Sequence, residues 1–276
     1  MPLLFGRCCR ALFCLFLSVG CFLPAAAPAA ETPFRESRVL VLNAYHPQYN
    51  WTDRMVGAIT GTFSGVLPRE NINIEYMDSR KREGKQYYER LFQLYRLKYQ
   101  DAEDRVDVII STDDNAFQFI QQYRDSLFPD IPVVFSGVNF YDPAAAAKDA
   151  PRYYTGIIES DAIRQNLELI RSLHPDTRRI VILADQSRIG RSLSRVTRRL
   201  IEKRRGKGPK LELWNDYALE TMFEKLENLS QGTVVFLNAI QFGTRGQYFS
   251  YTDDLPRLSR ICPVPVYGQW GVTLGN

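Results

Sequence analysis

Arg38-Val39-Leu40-Val41-Leu42-Asn43 is a run of four aliphatic residues closed by polar ones. It lacks the strict apolar–polar alternation of a strand with one wet face. A segment apolar at every position suits a strand covered on both faces, as in a parallel sheet. Parallel neighbours need crossover helices, and helical spacing follows at once. Trp51 to Val66 carries Met55, Ile59 and Phe63 four residues apart, with Asn50 or Thr52 placed to cap its start. The alternation continues with a strand at Asn71 to Tyr76, a helix at Lys85 to Tyr99 and a strand at Val106 to Ser111. A helix at Asn115 to Arg124, capped by Asp113 or Asp114, and a strand at Ile131 to Phe135 complete this half.

Asp142 to Pro151 interrupts the pattern with Pro, Asp and a string of alanines, and reads as a crossover between two cores. The alternation then restarts. Strands are expected at Tyr154 to Ile158, Arg179 to Leu183, Lys210 to Trp214, Thr233 to Leu237 and Val264 to Tyr267. Helices are expected at Ser160 to Leu173, Ile189 to Arg205 and Glu220 to Leu229. In the first of these helices Ile163, Leu167 and Ile170 define one apolar face. Strands separated by helices imply right-handed βαβ units. The fold class is therefore α/β, with two Rossmann-like lobes of parallel sheet joined by a hinge. Lobe one is expected over 31–150 and lobe two over 151–276.

The first 30 residues differ in kind. Arg7 and Arg10 precede the apolar run Ala11 to Leu23, and small residues around Ala29 and Ala30 follow. This is the order of a secretory signal peptide, and the run is short for a membrane span. A retained anchor, or lipid attachment at Cys21, is the alternative reading. Export to the periplasm or outside the cell fits the cysteines. Four of the five lie in this leader, and Cys262 alone remains, so no internal disulfide is available. A net charge of +4 demands no nucleic-acid partner. The basic clusters Arg80-Lys81-Arg82 and Arg195 to Lys210 read as solvated surface.

Ligands of open parallel sheets bind beyond the carboxyl ends of the strands. The residues there are Tyr45, His46 and the nearby Trp51, then Asp113 and Asp114, then Ser136 and Asn139. The second half adds Glu159, Asp185, Asn238 and Trp270. Rings for stacking together with hydrogen-bonding side chains suit a small organic ligand. Asp113, Ser160 and Ser187 also fit as plain helix caps. No G-x-G-x-x-G, Walker A or G-x-S-x-G motif is present. The two histidines are far apart, His174 stands before Pro175 at a helix end, and no cofactor or metal is expected. Two classes stay open: a binding module without catalysis, and an exported α/β enzyme using Asp113, Asp114 and His46.

Four segments carry a resemblance. They are Val39 to Pro47 with Trp51-Thr52-Asp53, then Glu75-Tyr76-Met77-Asp78-Ser79-Arg80-Lys81, then Val108 to Ala116, and Pro132 to Asn139. Together they resemble the ABC-transporter substrate-binding-protein-like family, in the version found as the extracytoplasmic sensor of bacterial histidine kinases and diguanylate cyclases. The resemblance implies a type I periplasmic-binding fold whose lobes close on a small molecule. The partner it implies is an ABC permease, or a fused or separate membrane sensor that carries signal transduction. It places the residues named above along the cleft. Members of that family continue beyond the point matching Leu274-Gly275-Asn276, so lobe two reads as incomplete.

Overall fold

The computed structural model describes residues 34–101, 105–139, 141, 153–159, 162–204, 206 and 208–273. The chain divides into two compact units, Met1–Glu36 and Ser37–Asn276. Of the first, only residues 34–36 are described, as an exposed turn. The expected leader and the whole of the 142–151 crossover lie outside the described residues.

The second unit holds two sheets. The first contains β1 (Val39–Asn43), β2 (Ile72–Tyr76), β3 (Val108–Thr112), β4 (Val133–Val138) and β5 (Tyr154–Ile158), in the order β2-β1-β3-β4-β5. The other contains β6 (Arg179–Ala184), β7 (Lys210–Trp214), β8 (Thr233–Ala239) and β9 (Val266–Gly268), in the order β7-β6-β8-β9. Every pairing is parallel. The helices of the first half are α1 (Asn50–Phe63), α2 (Lys85–Lys98) and α3 (Asp113–Leu127). Those of the second are α4 (Ile163–Leu173), α5 (Arg188–Arg204), α6 (Leu219–Glu227) and α7 (Asp254–Ile261).

The continuous apolar runs occupy interior strands. All five residues of β1 and all seven of β8 are buried. Side-chain alternation divides each run between two cores. From β1, Leu40 and Leu42 join Ile109, Phe119, Ile120 and Leu91 on one face. Val39 and Val41 meet Ile59 and Phe63 of α1 on the other. In the second sheet Ile180, Ile182, Val234 and Phe236 pack on Ile163, Leu167 and Ile170 of α4. Val181, Leu183, Val235 and Leu237 pack on Met222, Phe223 and Leu226 of α6. Each fully buried aliphatic or aromatic side chain contributes about 1.5–3 kcal/mol of burial free energy. These faces therefore hold the strand register against one-residue slips.

Four expectations need correction. β5 pairs with β4, Val133 opposite Tyr154, and so belongs to the first sheet. The chain passes to the second sheet between Ile158 and Ile163, later than the Pro-rich segment implied. Of the proposed caps, Ser187 holds the start of α5 by accepting the Gly190 N–H on its Oγ at 3.1 Å, whereas those for α1 and α3 fail. Tyr49 precedes α1 and Thr112 precedes α3, and neither helix start has a side-chain cap hydrogen bond. Asp113 lies inside α3 with φ +66. Sequence reading passed over α7, whose Pro256 sits in the first turn, where no backbone N–H is required. Lastly, Arg80 is 3% exposed, while Lys81 and Arg82 are in solvent.

Candidate functional site

Both sheets end their strands on one cavity of ≈ 300 Å³, at the small end of the range for ligand pockets. The first sheet and its loops supply Tyr45, Tyr49, Trp51, Arg80, Asp113, Asn139 and Glu159. The second supplies Ile189, Ala239, Gln241, Tyr251, Gln269, Trp270, Gly271 and Val272. A second compartment of ≈ 210 Å³ shares Tyr45, Ile189 and Gln241 with it and adds Asp114, Asn115, Arg188 and Arg195.

Asp113 follows directly on β3, and the turn from strand into helix forces it into the left-handed region. Such a conformation costs a non-glycine residue about 1 kcal/mol or more. Gly137, itself at φ +74, lies over it: a Cβ there would sit 3.2 Å from Asp113 Oδ1. Trp51 of α1 donates its Nε1–H to both Asp113 oxygens at 3.2 Å. Burial, then the charge of nearby Glu159, raise the Asp113 carboxyl well above the usual carboxylate range. Glu159, at the end of β5, is raised by burial and then by Asp114. Asn139 receives support from Asp114, whose carboxylate accepts from the Asn139 backbone N–H at 3.1 Å and from Nδ2 at 3.0 Å.

Arg80 is positioned by the loop after β2. The Ser79 backbone N–H and Oγ–H both donate to Ala44 O, at 2.8 and 2.6 Å, and Asn115 Nδ2 donates to Ser79 Oγ at 3.0 Å. The guanidinium lies 4.4, 5.4 and 4.9 Å from the ring centres of Tyr49, Tyr248 and Tyr251. It donates to Tyr49 Oη at 2.9 Å and, across the gap, to Phe249 O at 3.3 Å. Glu83 faces Arg191 and Arg188 of α5 across the gap, and their charges oppose the rise that burial gives its carboxyl. A buried arginine among tyrosine faces keeps its charge through cation–π attraction, and here it ties the lobes together.

Of the residues expected at the strand tips, Tyr45, Trp51, Asp113, Asn139, Glu159 and Trp270 line the cavity. Asp114 lines the neighbouring compartment. Asp185 is 2% exposed and spends its carboxylate on the backbone N–H groups of Ser187, Gln241 and Phe242 and on Ser187 Oγ. Asn238 is buried: its carbonyl accepts from Trp270 Nε1 and its Oδ1 from Gln269 Nε2, so it orients two wall residues. His46 and Ser136 line neither compartment, and His46 Nδ1 faces Pro47 O at 2.8 Å. His174 pairs its Nε2 with the Tyr267 hydroxyl at 2.8 Å, away from the cavity. Tyr49, Gln241 and Tyr251 were not expected at the site, Arg80 was expected in solvent, and Gln269 was expected only as a neighbour of Trp270 in its loop. Tyr49 and Arg80 had a signal, being close in sequence to Tyr45 and Met77. Gln241 and Tyr251 stand between Asn238 and the strand expected at Val264 to Tyr267, in the part before α7 whose sequence shows no strand or helix period.

Among the described residues no group of three His, Cys, Asp or Glu is placed to hold a metal, and no helix is long and apolar enough to cross a membrane. No protein-family model matches this sequence, and no curated protein matches it either. Solved structures do. A conserved domain protein from Vibrio cholerae superposes with TM-score 0.56 at 15% identity, covering 86% of this chain and 75% of that one. The ligand-free, open form of a substrate-binding protein with adhesive properties from Clostridium difficile gives 0.52 at 15%, covering 86% and 76%. A Streptococcus pneumonia ABC domain in complex with L-Trp gives 0.52 at 17%, covering 86% and 75%. At such identities the likeness speaks for architecture. Two parallel sheets with alternating helices, facing one cavity at their carboxyl ends, give this chain the two-lobed type I periplasmic-binding fold.

Proposed function

We propose that this protein binds a small organic ligand between its two lobes, without turnover, and works outside the cytoplasm. The observation that carries the reading is the cavity itself, walled from both sheets at the carboxyl ends of their strands. A ligand gripped from both sides favours the closed arrangement by its differential affinity, which is what a receptor or delivery protein needs. Export rests on the leader-like order of residues 1–30. The closed form would be read by a permease or by a membrane sensor. The sensor follows from the resemblance of the first-lobe motifs, and solute delivery from the substrate-binding architecture.

Tyr45, Trp51, Asp113, Asn139, Glu159 and Trp270 are the proposed ligand contacts, joined by Tyr49, Arg80 and Gln241. The alternative, an enzyme built on Asp113, Asp114 and His46, has less in its favour, since His46 lines neither compartment and packs instead against the wall residue Tyr49.

Trp270 provides the test. Its indole is held by Asn238 O at the cavity wall and packs on the edge of the second sheet's core, so Trp270→Ala removes a stacking face and is read on protein whose circular dichroism spectrum is unchanged. Binding of any compound found by thermal-shift screening should weaken about tenfold or more in this variant, about 1.4 kcal/mol. Unchanged affinity by calorimetry takes Trp270 out of the site.

A further inference from the structure

The cavity is rich in acceptors that lack donors. Asp113 is 6% exposed, and its two oxygens share the single Trp51 N–H. A carboxylate has about four acceptor positions, so most of its capacity is unfilled. Glu159 stands beside it, close enough to raise its proton affinity. Among the described residues neither carboxylate enters a salt bridge. Arg80 forms no ion pair with either, its bonds going to Tyr49 and Phe249, and its charge offsets that of Asp113 less than burial and Glu159 oppose it. Asn139 turns its amide N–H groups toward Asp114 and Glu159, giving Glu159 one donor and leaving its own Oδ1 buried with none. Gln241, 5% exposed and on the opposite wall, has a buried Oε1 with no donor either.

Unfilled buried acceptors are costly unless something supplies donors. The group that fits is positively charged, carries several N–H bonds and tolerates aromatic walls, since ring faces attract cations. Tyr45, Tyr49, Trp51 and Trp270 are those walls. We propose that the ligand carries a protonated amine, seated between Asp113 and Glu159 and completed by the Asn139 and Gln241 amide oxygens. The inference rests on the binding reading given above and assigns the charge class of what is bound.

Matched probes of opposite charge test it. Tryptamine and phenethylamine are compared with indole-3-propionate and 3-phenylpropionate on the full chain, by thermal shift and calorimetry at neutral pH. The amines should raise the Tm and bind at least tenfold tighter than the acids. Glu159→Gln and Asp113→Asn should each cut the preference severalfold with an unchanged circular dichroism spectrum. If Asp113→Asn fails to fold, Glu159→Gln alone decides. Acids binding as well as amines, or a preference indifferent to Glu159→Gln, overturn the amine assignment and leave the binding function standing. No shift with any of the four probes at millimolar concentration overturns both.

Discussion

Each lobe buries an aspartate at the carboxyl end of a central strand, with a glycine packed over it, and the two are used in opposite ways. Asp185, after β6, fills its oxygens with three backbone N–H groups and a hydroxyl. Asp113, after β3, takes one indole N–H and faces the cavity. The contrast extends to the walls around them. To the larger cavity the first lobe supplies Arg80, Asp113 and Glu159 and the second only uncharged residues, while Arg188 and Arg195 of the second lobe line the adjoining compartment. One aspartate staples a loop. The other sits in a strained backbone at the cavity wall with most of its acceptor capacity unfilled. The same residue type at equivalent topological positions thus does structural work where its acceptors are filled and, under the proposed binding function, ligand work where they are not.

The comparison breaks most visibly if Asp185 can be dispensed with. Asp185→Ala would leave the N–H groups of Ser187, Gln241 and Phe242 unpaired in the interior. The loss should be roughly 4 kcal/mol, given about 1–3 kcal/mol per unsatisfied buried donor and partial rescue by water. A chemical-denaturation midpoint shifted by less than the equivalent of about 1 kcal/mol would deny the staple. Gly190→Ala asks the same question sterically. Its Cβ would fall 1.9 Å from Asp185 Oδ1 and 2.6 Å from Asp185 O, so backbone must move. The cost should be about 3 kcal/mol, read as a drop in Tm, and wild-type stability would show that the staple yields.

Asp113→Asn should go the other way, by about 1 kcal/mol at neutral pH, a gain in stability at the expense of binding. The sign follows from linkage. Burial, then Glu159, raise the folded-state carboxyl above its unfolded value. As pH climbs through the unfolded value toward the raised one, the unfolded chain loses its proton first and stability falls. Below that window Asp113 is protonated in both states and its contribution is fully present. The difference in unfolding free energy between variant and wild type should therefore grow with pH and then level off. A difference that is flat with pH, or one that favours the wild type at neutral pH, would mean that the charge is already compensated.

Much of the frame was legible in the residues. The runs at Val39–Leu42 and Thr233–Leu237 state that they are covered on both sides, and Ile163, Leu167 and Ile170 state a helix face. Such patterns are written in the chain because burial of a regular element repeats with that element's own period. Strand tips follow from the frame, which is why Tyr45, Trp51, Asp113, Asn139, Glu159 and Trp270 could be named. The misreadings share one cause. Whether Asp185 is a staple or a ligand contact depends on backbone N–H groups more than 50 residues later. Whether Arg80 is solvated depends on Tyr248 and Tyr251 in the other lobe.

The amino-acid order by itself determined the α/β alternation, the two-sheet frame and the general address of the site, since each is set by local periodicity and by the rule that crossovers leave strand ends open. Only the tertiary structure decided which sheet takes β5, which aspartate is spent and which is free, and which arginine is buried. Those outcomes turn on what stands across the gap, and no spacing along the chain records the chemistry of a neighbour brought in from far away.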